Sequence, residues 1–525
     1  MKIVSAAEMR EIDRLTTERY KIPSLMLMEN AGSAVSRFAL QQYPSAQQII
    51  VICGKGNNGG DGFVAARKLH EAGRQAKVLL FGDVEDVKGD PGEMLKLMPL
   101  LPTGVRSIQK VSMIRPLLDS ADLIVDAVFG TGFRPPLPEV AAKAFDCIRE
   151  SSVPVVSVDI PSGADSDSFD LDQPNTCRSN AIVTFTAPKP GIIFTTLTRG
   201  PVVVAGIGSP EAIVDSKLGL EWNHPPSILR KGRPLNSNKG LYGHALIVGG
   251  SLGKSGAPTM ASAAALRIGA GLVTCAVPSS VQPIVAGAIP ELMTEPLDEN
   301  AAGAISERGL DEPETTVLFK RKNVVALGPG LGRDAETVRA VRGFVARCPL
   351  PLVLDADALN AFENESSLLD GSNRPLVLTP HPGEMARLIR SSVKEVEADR
   401  IKIARRFARE HHLILVLKGW RTLIADENGN IWVNTTGNPG LAKGGSGDVL
   451  TGIIAGLIAQ HPDQIIDAVR AGVYLHGLAA DAALSTQTVE TLLASDVVAA
   501  LPSAFRTTRE ATSEFTWIQR GGPGS

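Results

Sequence analysis

The chain runs to 525 residues, more than one ordinary domain accommodates, so two or three domains are expected. Hydrophobic residues make up 44%, charged residues 21% and aromatic residues only 4%, with 51 glycines; that balance favours α/β folds rich in tight strand-to-helix turns over all-β sandwiches. A formal net charge of -3 without a Lys/Arg-rich block excludes a basic nucleic-acid footprint, and no apolar stretch reaches the ~18 residues that a membrane span needs.

Cys53, Cys147, Cys177, Cys275 and Cys348 are scattered, odd in number and free of any CxxC pair. That argues against a disulfide framework or a cysteine zinc site and fits a reducing compartment. The first ten residues already turn charged and hold no secretory apolar run, so a cytoplasmic protein is expected.

In chain order, residues 6–20 and 24–42 are predicted as helices, the second with Leu25, Met28, Ala31, Val35, Phe38 and Ala39 on one face. Short apolar runs then alternate with helical stretches: Ile49–Cys53, Ala76–Phe81, Leu123–Phe129, Val153–Ile160, Ala181–Thr186 and Val202–Ala205. Near-continuous Val/Ile runs of this kind point to a parallel sheet covered on both faces. Between about 209 and 240 the pattern weakens, and His224, Pro225, Pro226, Gly232 and Pro234 mark a linker near residue 225. A second series follows at Ala245–Val248, Leu272–Val277, Val324–Leu327, Leu352–Leu354, Leu376–Leu378 and Leu413–Leu417. Leu423–Ala425 and Ile431–Val433 read as a hairpin, and a glycine-rich run opens a helix at about 448–460. The last fifteen or so residues, polar and rich in Gly and Pro, read as a frayed tail. The expected division is two α/β domains, 1–222 and 223–505, and a polar tail 506–525.

Gly54-x-Gly56-x-x-Gly59 follows a strand and opens a helix, formally a dinucleotide fingerprint. The insert Asn57-Asn58-Gly59-Gly60-Asp61-Gly62 differs from a hydride-transfer turn, because the Asp61 charge would sit close to a pyrophosphate. Two amides and a carboxylate among glycines suit a loop that hydrogen-bonds a polar ligand or holds a cation. Asp126 and Asp159 each end a buried strand before a turn, where open α/β sheets bind ligands. Either alone is more often a helix cap, but with Asn58 and Asp61 they converge on one crevice. Gly249-x-Ser251-x-Gly253 fits a nucleophile elbow, with His381 and His476 as triad candidates; in so glycine-rich a chain the match is cheap. Gly253-Lys254-Ser255 fails as a phosphate loop, because Val248 stands where the first glycine is required.

Gly440 through Asp448 carries four glycines directly before a helix with paired apolar residues at every fourth position. Backbone N–H groups and the helix N-terminus there form an anion hole, and Asp448 can accept a proton from an attacking hydroxyl. A capping role alone would not require the glycines. Thr379-Pro380-His381-Pro382-Gly383-Glu384 follows another strand, where His381 and Glu384 could contact substrate or orient a metal ion. Lys418-Gly419-Trp420-Arg421-Thr422 could cradle a nucleotide or form an edge hairpin.

Together these motifs resemble one family over about residues 1–505, the bifunctional NAD(P)H-hydrate repair enzymes. The resemblance rests on the Asn57–Asp61 loop, Asp126-Ala-Val-Phe-Gly-Thr-Gly132 and Val-Asp159-Ile-Pro-Ser162-Gly in the first half. In the second half it rests on Lys239-Gly240-x-Tyr242-Gly243, Ser255-Gly256-Ala257-Pro258, Gly328-Pro-Gly330-Leu-Gly332, Asp355-Ala-Asp357-Ala-Leu-Asn360, His381-Pro-Gly-Glu384 and Gly-Gly-Ser-Gly447-Asp448.

The resemblance implies a Rossmann-like N-terminal domain that interconverts the R and S hydrates of NADH and NADPH. Asn57, Asn58, Gly59, Gly60, Asp61, Gly130, Thr131, Gly132, Phe133, Arg134, Pro135, Pro136 and Asp159 would contact the hydrate. Asn58, Asp126 and Ser162 would hold potassium, and Asp159 is the candidate acid/base. The C-terminal domain would be a ribokinase-like dehydratase that uses magnesium with ADP or ATP. Ala257, Gly330, His381 and Asp448 would touch the hydrate; Lys418, Gly419, Trp420, Arg421, Thr422, Gly445, Ser446 and Gly447 would touch the nucleotide, with Asp448 as base. A homo-oligomer with only small-molecule ligands is expected. The rival reading is a ribokinase-like kinase of a small alcohol with an N-terminal ligand-binding module.

Overall fold

A computed structural model describes residues 1–98, 104–108, 113–134, 136–312, 314–510 and 514–521. The chain divides into one unit of Met1–Trp222 with Thr512–Ser525, and a second of Asn223–Ala511. Among the described residues, no helix is long and apolar enough to cross a membrane.

The first unit opens with two helices, Ala6–Glu18 and Ser24–Gln42. Its strands follow as β1 (Gln48–Cys53), β2 (Gln75–Leu80), β3 (Val105–Ser107), β4 (Leu123–Ala127), β5 (Val155–Val158), β6 (Ala181–Phe185), β7 (Pro201–Ala205) and β8 (Leu220–Trp222). The sheet order from one edge is β3-β2-β1-β4-β5-β6-β7, all parallel. Ile49, Val51 and Cys53 of β1 pack with the helices Ser24–Gln42 and Asn57–Glu71, while Ile50 and Ile52 pack with Glu139–Glu150 on the other face. Alternation of side chains along a strand thus makes every residue of β1 from Ile49 to Cys53 a core residue, which is why these strands read as unbroken apolar runs. The chain direction across the sheet reverses between β1 and β4, and crevices form at such points.

The second unit continues with β9 (His244–Val248), β10 (Leu272–Pro278), β11 (Met293–Leu297), β12 (Val324–Leu327), β13 (Leu352–Leu354), β14 (Leu376–Leu378), β15 (Ile414–Leu417), β16 (Leu423–Ala425) and β17 (Ile431–Val433). They lie in the order β11-β10-β9-β12-β13-β14-β15-β16-β17, parallel except for the β15–β16–β17 meander. Helix Ser446–Gln460 starts two residues before the predicted position and is buried along nearly its whole length, in one core with helices Gly256–Arg267 and Ile465–Ala483. Both units are therefore α/β layers, Rossmann-like in the first and ribokinase-like in the second, as the sequence led us to expect.

Two differences have physical reasons. β3 and β11 were not predicted; both are short edge strands with exposed positions, and β11 contains Pro296, so neither has the apolar run of a central strand. The C-terminal residues, expected as a frayed tail, include a helix to Glu510 and a strand, Thr516–Arg520, that pairs antiparallel with β7. Phe515 is buried edge-on against Phe38 at 5.8 Å between ring centroids, and Trp517 lies 6.2 Å from the same ring. Two aromatic anchors in eight residues outweigh the polar composition around them. Phe515→Ala should accordingly cost about 3 kcal/mol in denaturant unfolding of the first unit; a loss below about 1 kcal/mol would mean the strand adds little.

Candidate functional site

In the first unit, β1 ends at Cys53 and the chain turns through Gly54 into helix Asn57–Glu71. A Cβ on Gly54 would overlap the Val128 carbonyl, and one on Gly59 would overlap the Gly54 carbonyl. Only glycine lets the helix N-terminus close on both the β1 turn and the segment after β4. That helix end borders a cavity of 1070 Å³. Asn57, Asn58, Asp61, Gly130, Thr131, Gly132, Phe133 and Asp159 line it together. Gly59 and Gly60 are buried in the turn behind, Arg134 is exposed and donates to the Phe133 carbonyl at 2.7 Å, and Pro136 is exposed. Pro135 lies outside the described residues.

Asp159 follows β5 with φ 63°, a left-handed backbone that a non-glycine residue adopts at a cost of about 1–3 kcal/mol. Lys189 Nζ donates to its Oδ1 at 2.7 Å, Thr184 Oγ1 to the same oxygen at 2.9 Å, and Thr131 N to Oδ2 at 3.4 Å. Burial opposes ionisation of Asp159, yet the Lys189 charge and these hydrogen bonds outweigh it and hold the carboxyl below its ordinary value. Asp61 behaves oppositely: burial, then the charges of Asp159 and Asp13, raise it well above the carboxylate range. One cavity therefore pushes two acids in opposite directions.

Asp126, at the end of β4, is 1% exposed. It accepts from Ser162 Oγ at 2.5 Å, Ser162 N at 2.8 Å, Ser157 Oγ at 3.2 Å and Val128 N at 3.4 Å. The Phe129 carbonyl lies 3.2 Å from Ser162 Oγ, and the Asn58 side chain packs against Gly130, where a Cβ would stand 3.1 Å from Oδ1. Asn58 Nδ2 is buried without a partner. Burial raises Asp126, and among the described residues no lysine or arginine pairs with it. An oxygen-rich pocket around an uncompensated acid fits a cation.

In the second unit the hub is Asp355, after β13 and 1% exposed. Its Oδ1 accepts from Lys418 Nζ and from Thr379 Oγ1, each at 2.8 Å, and its Oδ2 accepts from Thr451 Oγ1 at 2.9 Å. Burial opposes its ionisation, but Lys418 and the hydroxyls hold it below the usual carboxylate value. Thr451 lies in helix Ser446–Gln460, so Asp355 ties that helix to the sheet. Gly445 caps it with φ 93°, and a Cβ on Gly447 would come within 3.3 Å of Lys418 Nζ. Asp448, in the first turn, is pushed up to about 7 by burial and then by the Asp355 charge, with Lys418 opposing.

His381 caps helix Pro382–Leu388 through Nδ1, which accepts from Gly383 N at 3.0 Å, while Glu384 Oε2 accepts from His381 N at 2.8 Å. Burial, then Lys418 and Arg387, lower its pKa, so His381 is neutral. Gly330 and Ala257 adjoin each other, and Gly332 N donates to Asp357 Oδ2 at 2.9 Å. The charge of Asp357 is also felt at Asp448, which connects this pair to the Asp355 cluster. Trp420 is 48% exposed with the Arg421 guanidinium 4.2 Å from its ring centroid; Arg421 itself is buried and donates to the Thr435 carbonyl at 3.0 Å. Thr422 Oγ1 donates to the Gly419 carbonyl at 3.2 Å. The elbow reading fails, since Ser251 Oγ donates to the Gly330 carbonyl at 2.8 Å and His476 is buried.

Residues 245–503 match the family described as NAD(P)H-hydrate dehydratase, and residues 24–191 match the YjeF-related protein N-terminus. A bifunctional NAD(P)H-hydrate repair enzyme of Moorella thermoacetica is 42% identical over 97% of this chain and 98% of its own. The chain belongs to the bifunctional NAD(P)H-hydrate repair enzymes. Repair enzymes of Coxiella burnetii and Escherichia coli are 37% and 32% identical, over 93% and 94% of this chain and 96% and 92% of their own. Among solved structures, the ADP/ATP-dependent NAD(P)H-hydrate dehydratase of Bacillus subtilis, co-crystallised with ATP and Mg2+, is 31% identical. It covers 55% of this chain and 98% of its own, with a TM-score of 0.47.

Sequence reasoning about this repair-family chain did not single out Lys189, Thr451 or Asp13. Lys189 had a usable signal, a lysine in Ala187-Pro188-Lys189-Pro190 directly after a buried parallel strand. Lys189→Met would strand the Asp159 carboxylate in a buried site and should cost about 3–5 kcal/mol at neutral pH. Because folding depresses the Asp159 pKa, its stabilisation is present above the ordinary carboxylate value and lost as pH falls through the depressed one. The gap between wild type and variant should therefore shrink in acid; denaturant unfolding across pH reads it, and a gap independent of pH would contradict the assignment.

Proposed function

We propose that this chain repairs hydrated NADH and NADPH, its first unit interconverting the R and S hydrates and its second dehydrating the S hydrate with ADP or ATP. The observation that carries this reading is a built acid site at the carboxyl ends of both sheets, in a chain that aligns nearly end to end with bifunctional repair enzymes.

In the epimerase unit, the Asn57–Asp61 loop, the Gly130–Pro136 segment and Asp159 bind the hydrate, with Asp159 held ionised for proton transfer. Asn58, Asp126 and Ser162 would hold a potassium ion, whose charge would offset the buried Asp126 and favour an anionic ligand beside it.

In the dehydratase unit, Ala257, Gly330, His381 and Asp448 bind the hydrate, while Lys418–Thr422 and Gly445–Gly447 bind the nucleotide. Magnesium would travel with the nucleotide phosphates and shield their charge; Glu384, 3.8 Å from Lys418, is the nearby carboxylate able to orient it. Asp448 takes the proton of the ring hydroxyl, which attacks the terminal phosphoryl group. The Gly445–Gly447 amides stabilise the charge that develops on it. Phosphate leaves far more readily than hydroxide, so elimination restores the dihydropyridine and, with ADP, yields AMP and phosphate. Lys418, held in place by Asp355, keeps positive charge beside this centre.

The direct test is absorbance at 340 nm on a mixture of hydrate epimers with magnesium and ADP or ATP. A complete rise supports both activities, whereas no rise and a stable phosphoester on a small alcohol would favour a ribokinase-like kinase. Asp448→Asn should lower dehydration on the order of 100-fold or more with little change in nucleotide affinity. Since the base must be ionised, kcat/KM should rise with pH through about 7, and the variant should lose that limb. Near-normal turnover in Asp448→Asn would remove the base assignment. Asp159→Asn should abolish epimerisation in a folded protein; retained epimerase activity would reject its role.

A further inference from the structure

Asp13 precedes the matched family span, which begins at residue 24, and belongs to none of the motifs above. It lies in the middle of helix Ala6–Glu18, where Met9, Arg10, Asp13, Arg14 and Thr17 form one face along the wall of the 1070 Å³ cavity. The helix is anchored at its start by a capping box: Glu8 N donates to Ser5 Oγ at 3.2 Å and Ser5 N donates to Glu8 Oε2 at 2.9 Å. The adjoining flank buries Ile12 and Thr16, so the orientation of Asp13 is set by packing.

A helix aspartate ordinarily reaches water, but Asp13 Oδ1 is buried and has no hydrogen-bond partner. Lys189, Asp159 and Asp61 line the same cavity; the charges of Lys189 and Asp159 act on Asp13, and that of Asp13 acts on Asp61. Arg10 and Arg14 lie on its own helix, with Arg14 committed to Glu11 at 2.7 Å and to Glu18. Burial first, and the Asp159 charge after it, push Asp13 up to about 6, with Lys189 opposing. Asp159 is held down in the same cavity. Two acids on one cavity, displaced in opposite directions, form an acid/base pair in the chemical sense.

We propose that Asp13 is a second acid/base catalytic residue of the epimerase, working on the face of the hydrated ring opposite Asp159. This rests on the epimerase reading above. The hydrate carries a hydroxyl on a ring carbon bonded to nitrogen, and inverting that carbon requires only that its C–O bond break and re-form on the other face. The Asp13 carboxyl gives its proton to the hydroxyl oxygen. As water departs with the C–O electron pair, the nitrogen lone pair forms a C=N double bond. A water molecule then adds to the carbon from the other face, the C=N pair returns to nitrogen, and Asp159 takes the proton released. Asp13 is left ionised and Asp159 protonated, the state that serves the opposite epimer. The pair therefore runs both directions without any further reactant.

The test follows conversion of isolated R hydrate to S hydrate by chromatography, with the full chain and no nucleotide. Asp13→Asn should slow it on the order of 100-fold or more. Dehydration of S hydrate with ADP should be unchanged in the same variant, and Asp13→Glu should recover part of the lost epimerase rate. In wild type, kcat/KM for epimerisation should fall as pH rises through about 6, where free Asp13 loses its proton, and Asp13→Asn should lack that limb. A purely structural role would not generate the limb. Wild-type epimerase rates in a folded Asp13→Asn protein overturn the proposal. If that variant does not fold, a wild-type kcat/KM that is flat across about one pH unit on either side of 6 overturns it. A wild type that does not epimerise at all rejects the underlying epimerase reading instead, so the two failures are distinguishable.

Discussion

Both units depend on a buried aspartate at the carboxyl end of a parallel strand and on the lysine that neutralises it. In the first, Lys189 meets Asp159 at 2.7 Å; in the second, Lys418 meets Asp355 at 2.8 Å. Each acid also accepts hydrogen bonds from neighbouring hydroxyls, Thr184 in one and Thr379 and Thr451 in the other. A bare carboxylate at such depth would protonate or unfold its surroundings. Paired and hydrogen-bonded, it stays charged and becomes a fixed electrostatic reference for everything around it.

That fixed charge is what separates the neighbouring acids. Asp61 and Asp13 are raised partly because Asp159 is ionised, and Asp448 is raised partly because Asp355 is. Burial supplies the larger share in each case. The result in both units is one acid whose charged form is favoured in the resting site beside others whose protonated form is favoured. General acid/base chemistry needs that combination, and it arises here twice from the same arrangement of strand end, lysine and threonine.

Glycines bring these groups within reach. Gly54 and Gly59 allow the β1 turn, the segment after β4 and the helix Asn57–Glu71 to touch, and Gly445 in the left-handed region lets the chain enter helix Ser446–Gln460. In both units a glycine turn lies at the N-terminus of a buried helix, and neither helix could approach so closely with side chains at those positions.

Most of the architecture was legible in the sequence because a doubly covered parallel strand is apolar at every position, and helices such as Ser24–Gln42 declare themselves by period. The strand ends carrying Asp126 and Asp159 and the helix start carrying Asp448 were legible too, since acids beside glycine turns stand out in an apolar chain. The edge strands β3 and β11 and the strand Thr516–Arg520 were not, because an edge needs no apolar run and the C-terminal one depends on two aromatics finding Phe38. Likewise Asp13 in an ordinary helix carries no local mark, and Lys189 carries only the Ala187-Pro188-Lys189-Pro190 turn after a buried strand. Sequence by itself determined the α/β class, the glycine turns and the acids at strand ends, because these are local in the chain. Only the tertiary structure decided which lysine neutralises which acid, which acids share a cavity and in which direction each is shifted, because burial and Coulomb interaction depend on distances between residues far apart in sequence.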